Sequence, residues 1–348
     1  MLTGFLRAFR TPDLRRKLLF TVFIIGIFRL GAALPTPGIS ERNVHFCIGL
    51  AAQSGGSVYQ LVNLFSGGAL LKLSVFALGI MPYITASIIL QLLAVVIPRL
   101  ETLRQEGQAG QAKITQYTRY LTVGLAILQS TGIVALARSG KLFQGVNCQK
   151  SLLVNDSIFT ITTMVICMTA GTAVIMWLGE LITDRGVGNG MSLLIFTTVI
   201  SVIPGEMLNI YKSRHAFVFA VVVVVGIAIV GFVVFMEQAQ RRIPVQYAKR
   251  MVGRRMYGGT STYIPLKVNQ AGVIPVIFAS SLLYIPQLAA SLFGNQTSAT
   301  GWVSWVDTYL VRGDSPIYML TFFVLIVFFT YFYVAITFNP TEVADNMK

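Results

Sequence analysis

Charged residues are scarce in this sequence: Asp, Glu, Lys and Arg make up 11% of its 348 residues, whereas hydrophobic residues make up 55%. So little charge excludes an ordinary soluble domain of this length and favours a polytopic membrane protein. The formal net charge is +14, but the charges lie between apolar runs, where Lys and Arg normally record the orientation of insertion. This distribution excludes a soluble nucleic-acid-binding protein.

Residues typical of catalytic and metal sites are also scarce. The sequence has two histidines, His45 and His215, and three cysteines, Cys47, Cys148 and Cys167, and their spacing matches no metal-binding motif. It has no nucleotide-binding loop, no H-E-x-x-H motif and no paired carboxylates within an apolar run. We therefore predict no catalytic residue, no cofactor and no metal. Cys47 and Cys148 are both predicted to be external, where they either form a disulfide or remain free thiols.

Eight apolar segments have a length that suits a transmembrane helix, which rises about 1.5 Å per residue. They cover residues 18–35, 73–97, 121–137, 157–179, 187–205, 215–236, 270–291 and 316–338. Lys and Arg concentrate in the loops that this assignment places inside, so both ends of the chain are predicted to be cytoplasmic. Arg29 lies within the first span, where it either packs in the bundle or snorkels, or else lines an aqueous path.

A short motif occurs twice, as GIMPYITASII at residues 79–89 and as GVIPVIFASSL at residues 272–282. The loop charges orient the two motif-bearing spans oppositely, as in an inverted-topology repeat around a midplane site. The fold class is therefore an all-α polytopic helical bundle. Its predicted halves are residues 1–205, with five spans and a short segment at 61–70, and residues 206–348, with three spans and a basic cytoplasmic loop at 237–269.

The repeated spans place apolar side chains at the predicted membrane midplane, where a secondary transporter would normally have polar or ionisable groups. Ile80 and Ile84 lie on the second span, Ile277 on the seventh, and Met191 and Ile195 at a similar depth on the fifth. These side chains either pack the bundle in the ordinary way or form a hydrophobic constriction that excludes water and ions.

Long stretches of the chain resemble the SecY family of bacterial protein-conducting channels. They are NLFSGGAL at 63–70, FALGIMPYITASIILQLL at 76–93, QYTRY at 116–120, MWLGE and ITDRGVGNG at 176–190, QRRIPVQYAKR at 240–250, STYIPLKVNQAGVIPVIFASS at 261–281 and FNPTEVADN at 338–346. Their order and topology match the family from the N-terminal basic segment to the last residue. The resemblance implies a passive channel for unfolded secretory proteins across, and membrane proteins into, the bacterial plasma membrane.

The resemblance also implies an hourglass pore whose waist is an apolar ring, with a plug that closes its external side. The ring positions are Ile80, Ile84, Met191, Ile195 and Ile277, and the plug positions are Asn63, Leu64, Phe65, Ser66, Gly67 and Gly68. The second and seventh spans, with the third and eighth, are expected to form a lateral gate through which signal sequences and membrane spans reach the lipids.

The basic loop at 237–269 is implied by the resemblance to dock the SecA motor ATPase or the ribosome. Its docking residues are Arg241, Arg242, Lys249, Arg250, Arg254 and Arg255. The stretch RRMYGGTST predicts a hairpin whose two strands are joined by a Gly-Gly turn. Further expected partners are the SecE and SecG subunits and unfolded preproteins.

One departure from the family concerns the number of spans. Family members have ten, with a further basic loop and two more helices after the FNPTEVADN motif, whereas this sequence ends at Lys348. We therefore expect these 348 residues alone to seal a channel poorly. The alternative function is a secondary transporter for a small solute, and a structural membrane scaffold is the third hypothesis.

Overall fold

The computed structural model describes residues 11–51, 67–138, 151–213, 216–245, 250–252, 255–257, 262–293, 309 and 315–337. Its helices are α1 (Pro12–Ala33), α2 (Glu41–Ala51), α3 (Met81–Val96), α4 (Pro98–Gln105), α5 (Gln108–Arg138), α6 (Ile158–Arg185), α7 (Gly190–Ser213), α8 (Ala216–Gln238), α9 (Ile274–Phe293) and α10 (Pro316–Thr337). Its strands are β1 (Gln240–Val245), β2 (Arg250–Val252), β3 (Arg255–Tyr257) and β4 (Thr262–Lys267).

The chain divides into two compact units, which are residues 1–206 with 280–322, and residues 207–279 with 323–348. In the first unit, α5 packs against α3, α4 and α6, and α1 packs against α6. The buried face of α5 carries a small residue at every fourth position: Thr118, Thr122, Ala126 and Ser130. Small side chains at helical spacing let membrane helices approach closely, which explains why α5 accepts neighbours along its length.

The second predicted span begins later than the hydropathy suggested. Residues 67–80, which we call the core segment, form consecutive turns, and α3 starts at Met81 instead of Leu73. Leu73 and Gly79 have positive φ angles of 49° and 57°, which a right-handed helix does not allow. Pro82 then occupies the first turn of α3, where its missing N–H is tolerated.

Other boundaries also differ from the predictions. The connection between the second and third predicted spans, residues 99–120, is largely helical, because α4 occupies its start and α5 begins at Gln108. Within the connection between the first and second predicted spans, residues 41–51 form α2. The fifth predicted span, which was expected to end at residue 205, continues through Pro204 to Ser213. The seventh, expected over residues 270–291, begins at Ile274 and contains Pro286. Proline in a membrane helix is tolerated where neighbouring groups satisfy the freed carbonyl, so it did not end either helix.

The second unit contains a long apolar helix and a basic β-ribbon. Within its described residues α8 has no buried side chain, and a helix that is apolar all round suits a lipid environment. After α8, β1 pairs antiparallel with β4, from Gln240↔Lys267 to Val245↔Thr262. Asn269 Nδ2 donates to Glu237 Oε2 at 3.1 Å and thereby ties the base of the ribbon to the end of α8.

The described residues contain four helices that are long and apolar enough to cross a membrane, by length and composition alone: Gln108–Arg138, Ile158–Arg185, Ala216–Gln238 and Pro316–Ala335. Met81–Ala94 and Gly190–Gly205 are shorter apolar helices. The count of eight spans and the inversion of the repeat stay predictions. Among the cysteines, Cys47 is disulfide-bonded and Cys167 is a free thiol, whereas Cys148 lies outside the described residues.

Candidate functional site

Four of the five predicted ring residues belong to one apolar cluster in the first unit. Ile80 is 1% exposed and is part of the buried core of this cluster, and Ile84, Met191 and Ile195 are partly buried and pack against that core. The cluster also contains side chains of α1 and α6, including Phe28. Residues from separate stretches of the sequence therefore meet in one apolar cluster, and their role as a constriction stays a prediction.

Helical spacing arranges the four ring residues of this cluster in two pairs. Ile80 and Ile84 are one turn apart at the start of α3, where the Ile84 N–H donates to the Ile80 carbonyl at 3.2 Å. Met191 and Ile195 are one turn apart at the start of α7. Because side chains four residues apart share a helix face, each pair presents two adjacent apolar groups to the cluster.

The start of α7 is held against α6 by a cap and a close backbone approach. Asn189 Oδ1 accepts the Met191 N–H at 3.0 Å and so caps the first turn. The Gly190 N–H donates to Thr183 Oγ1 at 2.9 Å, and a Cβ on Gly190 would overlap the Gly179 carbonyl of α6. These contacts fix the position from which Met191 reaches the cluster.

Ile277, the fifth predicted ring residue, lies on α9 in the second unit and is 8% exposed. It corresponds in the repeated motif to Ile84. Both copies of the motif have the same local structure, since Gly79 and Gly272 have φ angles of 57° and 60° and a helix begins two residues after each. The meeting of Ile277 with the other four side chains stays a prediction.

The core segment passes through the interior of the first unit without forming a helix. Its buried side chains are Ala69, Leu70, Leu73, Ser74, Phe76, Ala77, Leu78 and Ile80. The Val75 N–H donates to the Leu34 carbonyl at 2.9 Å, and the Thr36 N–H donates to the Leu73 carbonyl at 3.1 Å. Irregular backbone in a membrane protein is tolerated where protein surrounds it and satisfies its backbone polar groups, and these two bonds supply such partners from outside the segment.

Close packing around Phe76 anchors the middle of the core segment. The Phe76 ring stacks on Phe28 of α1 with centroids 6.0 Å apart. A Cβ on Gly31 would overlap the Phe76 ring, and a Cβ on Gly171 of α6 would overlap the Val75 carbonyl. Because neither glycine has a side chain, α1 and α6 can both pack directly against the core segment.

The predicted plug positions fall at the start of the core segment and before it. Asn63, Leu64, Phe65 and Ser66 lie outside the described residues. Gly67 and Gly68 are described, and both have positive φ angles, 65° and 85°. Such a backbone suits glycine and breaks a helix, so the chain enters the core segment through a bend at these two residues.

Arg29 connects the predicted plug to two helices, which sequence reasoning did not foresee. Its Nη1 donates to Ser201 Oγ of α7 at 2.8 Å and to the Gly67 carbonyl at 3.3 Å. Arg29 is half-buried, so of the two earlier interpretations the structure supports packing within the bundle. The detectable signal was an arginine in an apolar span without a nearby carboxylate in the sequence.

A two-point ion pair joins α5 to α6 at the other end of the unit. Arg119 Nε and Nη2 donate to the two oxygens of Glu180 at 2.9 and 2.7 Å, and Gln116 accepts from Arg119 Nη1 at 3.1 Å. The side chains are 43% and 18% exposed. The sequence did not predict this pair, and the structure shows that it fastens the two helices.

The predicted hairpin of the basic loop has a different register from the one expected. Residues 255–257 pair back onto 250–252, with Arg250↔Tyr257 and Val252↔Arg255. Among the described strands β3 therefore does not pair with β4, as the predicted hairpin required, and β4 pairs with β1 instead. Residues 258–259, where the Gly-Gly turn was predicted, lie outside the described residues.

Two of the six predicted docking residues have described side chains, and both are exposed. They are Arg241 and Arg242 on β1, and the guanidinium carbon of Arg242 lies 4.7 Å from the centroid of the Tyr263 ring. Arg250 and Arg255 lie on β2 and β3. Lys249 and Arg254 lie outside the described residues.

Comparison with known proteins gives consistent results for this fold. A model of the SecY family matches residues 74–348. The chain is 64% identical over 352 residues to the protein translocase subunit SecY of Streptomyces galbus, with 100% of this chain and 80% of that protein covered.

Two solved structures share the fold at low sequence identity. One is that of a protein-conducting channel, with a TM-score of 0.60, 16% identity, and coverage of 93% of this chain and 73% of that one. The other is Sec61 in the canine ribosome-channel complex from the endoplasmic reticulum, with a TM-score of 0.60, 17% identity, and coverage of 95% and 75%. Because the family model matches most of its length and the Streptomyces galbus protein is 64% identical over all of it, this chain belongs to the SecY family of protein translocase subunits.

Proposed function

We propose that this chain, as the pore-forming subunit of the Sec translocon, closes its pore at a waist lined by Ile80, Ile84, Met191 and Ile195, with Ile277 as the fifth member. The observation that carries the proposal is the single apolar cluster in which the first four residues meet. A hydrophobic constriction repels water and ions when it is narrow. The same side chains separate around an extended polypeptide, to which they offer contact without specific hydrogen bonds.

The waist suits a substrate of variable sequence. Aliphatic side chains tolerate any passing residue, and the unbranched thioether of Met191 adapts its shape more readily than a branched side chain does. No chemical step is required of this chain, so a partner supplies the energy. The family assignment leaves the small-solute transporter without support.

The plug and the lateral gate belong to the same proposal. The segment from Asn63 to Gly68 closes the external side of the waist and moves away when a polypeptide enters. The second and third spans separate from the seventh and eighth to release signal sequences and membrane spans into lipid. The bend at Gly67 and Gly68, where both φ angles are positive, supports a hinge between the plug and the buried core segment.

We further propose the surroundings in which the chain works. It lies in the bacterial plasma membrane with eight spans, an inverted repeat and a cytoplasmic N-terminus, and SecE and SecG complete the channel. SecA or the ribosome binds the basic loop at 237–269, which contains strands β1, β2, β3 and β4. The exposure of Arg241 and Arg242 and the ribosome-bound state of the similar Sec61 channel support this docking, because arginines suit both carboxylates and RNA phosphates.

Ion conductance of the reconstituted channel tests the waist. Ile84→Asn is expected to raise the conductance of the resting channel, because a polar side chain stabilises water in the constriction. Ile88→Asn is the matched control: Ile88 is on the same helix, is 5% exposed, and lies outside the cluster. Equal leaks from both variants, with equal amounts of assembled channel, would show that polar substitution merely loosens the bundle.

Charge reversal tests the docking surface. Arg254→Glu with Arg255→Glu is expected to reduce export and leave membrane insertion of the channel unchanged. The control reverses two exposed cytoplasmic-side charges outside the ribbon, Arg99 and Lys113. Unchanged export in the ribbon variant would contradict the docking proposal.

A further inference from the structure

One stretch of α6, residues 179–183, contacts α5, α7 and the apolar cluster of the waist. We call it the α6 turn. Its Glu180 accepts two hydrogen bonds from Arg119 of α5, at 2.9 and 2.7 Å. Its Ile182 is 0% exposed and belongs to the same cluster as Ile80. A helix turn moves as one body, because its backbone hydrogen bonds and its close packing resist local distortion. A displacement of the ion pair therefore also displaces the wall of the cluster.

The α6 turn also sets the position of Met191. A Cβ on Gly179 would overlap the Met191 Sδ atom, so the thioether lies directly against the backbone of this turn. Thr183 Oγ1 accepts the Gly190 N–H at 2.9 Å and donates to the Gly179 carbonyl at 3.0 Å. The residue before Met191 is thus hydrogen-bonded to the same turn that its side chain touches.

The contact between Arg119 and Glu180 fixes an orientation as well as a distance. Two parallel N–H···O bonds between a guanidinium and a carboxylate have a defined planar geometry, which a single bond does not impose. Elsewhere along the same two helices, Ser130 Oγ lies 3.3 Å from Thr169 Oγ1, which is a single uncharged contact. Of these two polar contacts between α5 and α6, the ion pair is the one on the turn that touches Met191.

We propose that Arg119 and Glu180 are positioning residues of the waist, because their ion pair holds the α6 turn in the orientation that directs Met191 into the apolar cluster. The inference rests on the proposed function, in which Met191 lines the waist. Weakening the pair allows the α6 turn to shift against α5, and Met191 shifts with the Gly179 backbone. Water then enters beside the displaced side chain, since a hydrophobic constriction excludes water only while it is narrow.

Single-channel conductance of the assembled translocon in planar bilayers tests this role. Glu180→Gln keeps the shape of the side chain and removes its charge, and it is expected to raise the resting open fraction about fivefold, the effect of losing a partly exposed ion pair of good geometry. Thr169→Val is the matched control, because it removes a contact between the same two helices away from the α6 turn. Its resting conductance is expected to equal that of the parent channel. A tight Glu180→Gln channel, or equal leaks from both variants, would overturn the proposal.

Two double-mutant cycles distinguish positioning of Met191 from general loosening of the bundle. Arg119→Gln is expected to leak as Glu180→Gln does, and the double variant is expected to leak no more than either, because both remove one contact. Met191→Ala is expected to leak by itself, and adding Glu180→Gln to it is expected to raise the conductance no further, because the pair acts through Met191. Effects that multiply in either cycle would overturn the proposal.

Arg119→Lys separates the geometry of the pair from its charge, and it serves if Glu180→Gln assembles poorly. Lysine keeps the positive charge but does not form the planar two-point contact. The variant is expected to leak more than the parent channel and less than Arg119→Gln. A resting conductance equal to that of the parent would show that the orientation of the pair does not set the seal.

The Ile84→Asn channel, recorded under the same conditions, distinguishes failure of the positioning role from failure of the proposed function. A leaky Ile84→Asn beside a tight Glu180→Gln would reject the positioning role and retain the waist. A tight Ile84→Asn would reject the waist on which the positioning role depends.

Discussion

Two neighbouring buried hydroxyls make opposite predictions for the stability of the first unit. Thr36 is 2% exposed, and its Oγ1 donates to the Leu73 carbonyl at 2.8 Å. Ser74, the next residue after that carbonyl, is 0% exposed, and its Oγ has no hydrogen-bond partner among the described residues. Thr36→Val is therefore expected to destabilise the unit, and Ser74→Ala is expected to be neutral or stabilising.

The size of the effect follows from what each substitution leaves behind. Valine matches the shape of threonine but removes the donor, and a buried neutral hydrogen bond contributes about 1 kcal/mol net. The Leu73 carbonyl keeps its bond from the Thr36 N–H at 3.1 Å, so the loss of stability should be about 1 kcal/mol and should not reach the cost of a carbonyl without any partner. Ser74→Ala removes a desolvated hydroxyl that gains nothing in return.

Thermal unfolding of the purified chain in detergent, followed by circular dichroism, measures both effects. Thr36→Val is expected to lower the melting temperature by about 2 °C, and Ser74→Ala is expected to leave it unchanged or raise it. A Ser74→Ala variant that loses as much stability as Thr36→Val would refute the reasoning. It would mean that the Ser74 hydroxyl has a partner or that the core segment senses volume alone.

Three further perturbations test contacts outside the core segment. Glu180→Gln should cost about 1 kcal/mol in thermal stability, since it weakens the two-point pair with Arg119 at a partly exposed site; an unchanged melting temperature would mean that water screens the pair. Gly190→Ala should cost about 1–3 kcal/mol, because the new Cβ meets backbone of α6, whereas a normal melting curve would place the two helices farther apart. Tyr263→Leu removes the ring under Arg242 and should speed amide hydrogen exchange in the β1–β4 ribbon about two- to fivefold, and an unchanged rate would show that the stacking contributes nothing.

The repeated motif shows how far local sequence determines local structure. Both copies lie within segments that hydropathy assigned to continuous spans, yet both contain the same break. Gly79 and Gly272 are left-handed, and helices begin at Met81 and Ile274. These outcomes depend on glycine φ freedom and on the N-terminal preference of proline, which act within a few residues.

The core segment shows where the local signal misled. Residues 73–80 are as apolar as the helix that follows, so hydropathy assigned them to one continuous span. Their conformation depends on distant residues: Thr36 donates to the Leu73 carbonyl, the Phe28 ring stacks on Phe76, and Gly31 and Gly171 leave room for the segment between helices. Contacts of this range leave no periodic trace in the segment itself.

The sequence alone determined the class of the protein and the family to which it belongs, because composition, apolar runs and long motifs are properties of the chain read in order. Tertiary structure decided that Ile80, Ile84, Met191 and Ile195 share one cluster and that Arg29 reaches Gly67 and Ser201. The physical reason is that such meetings depend on how helices pack, and packing depends on small residues and irregular turns far apart in the chain.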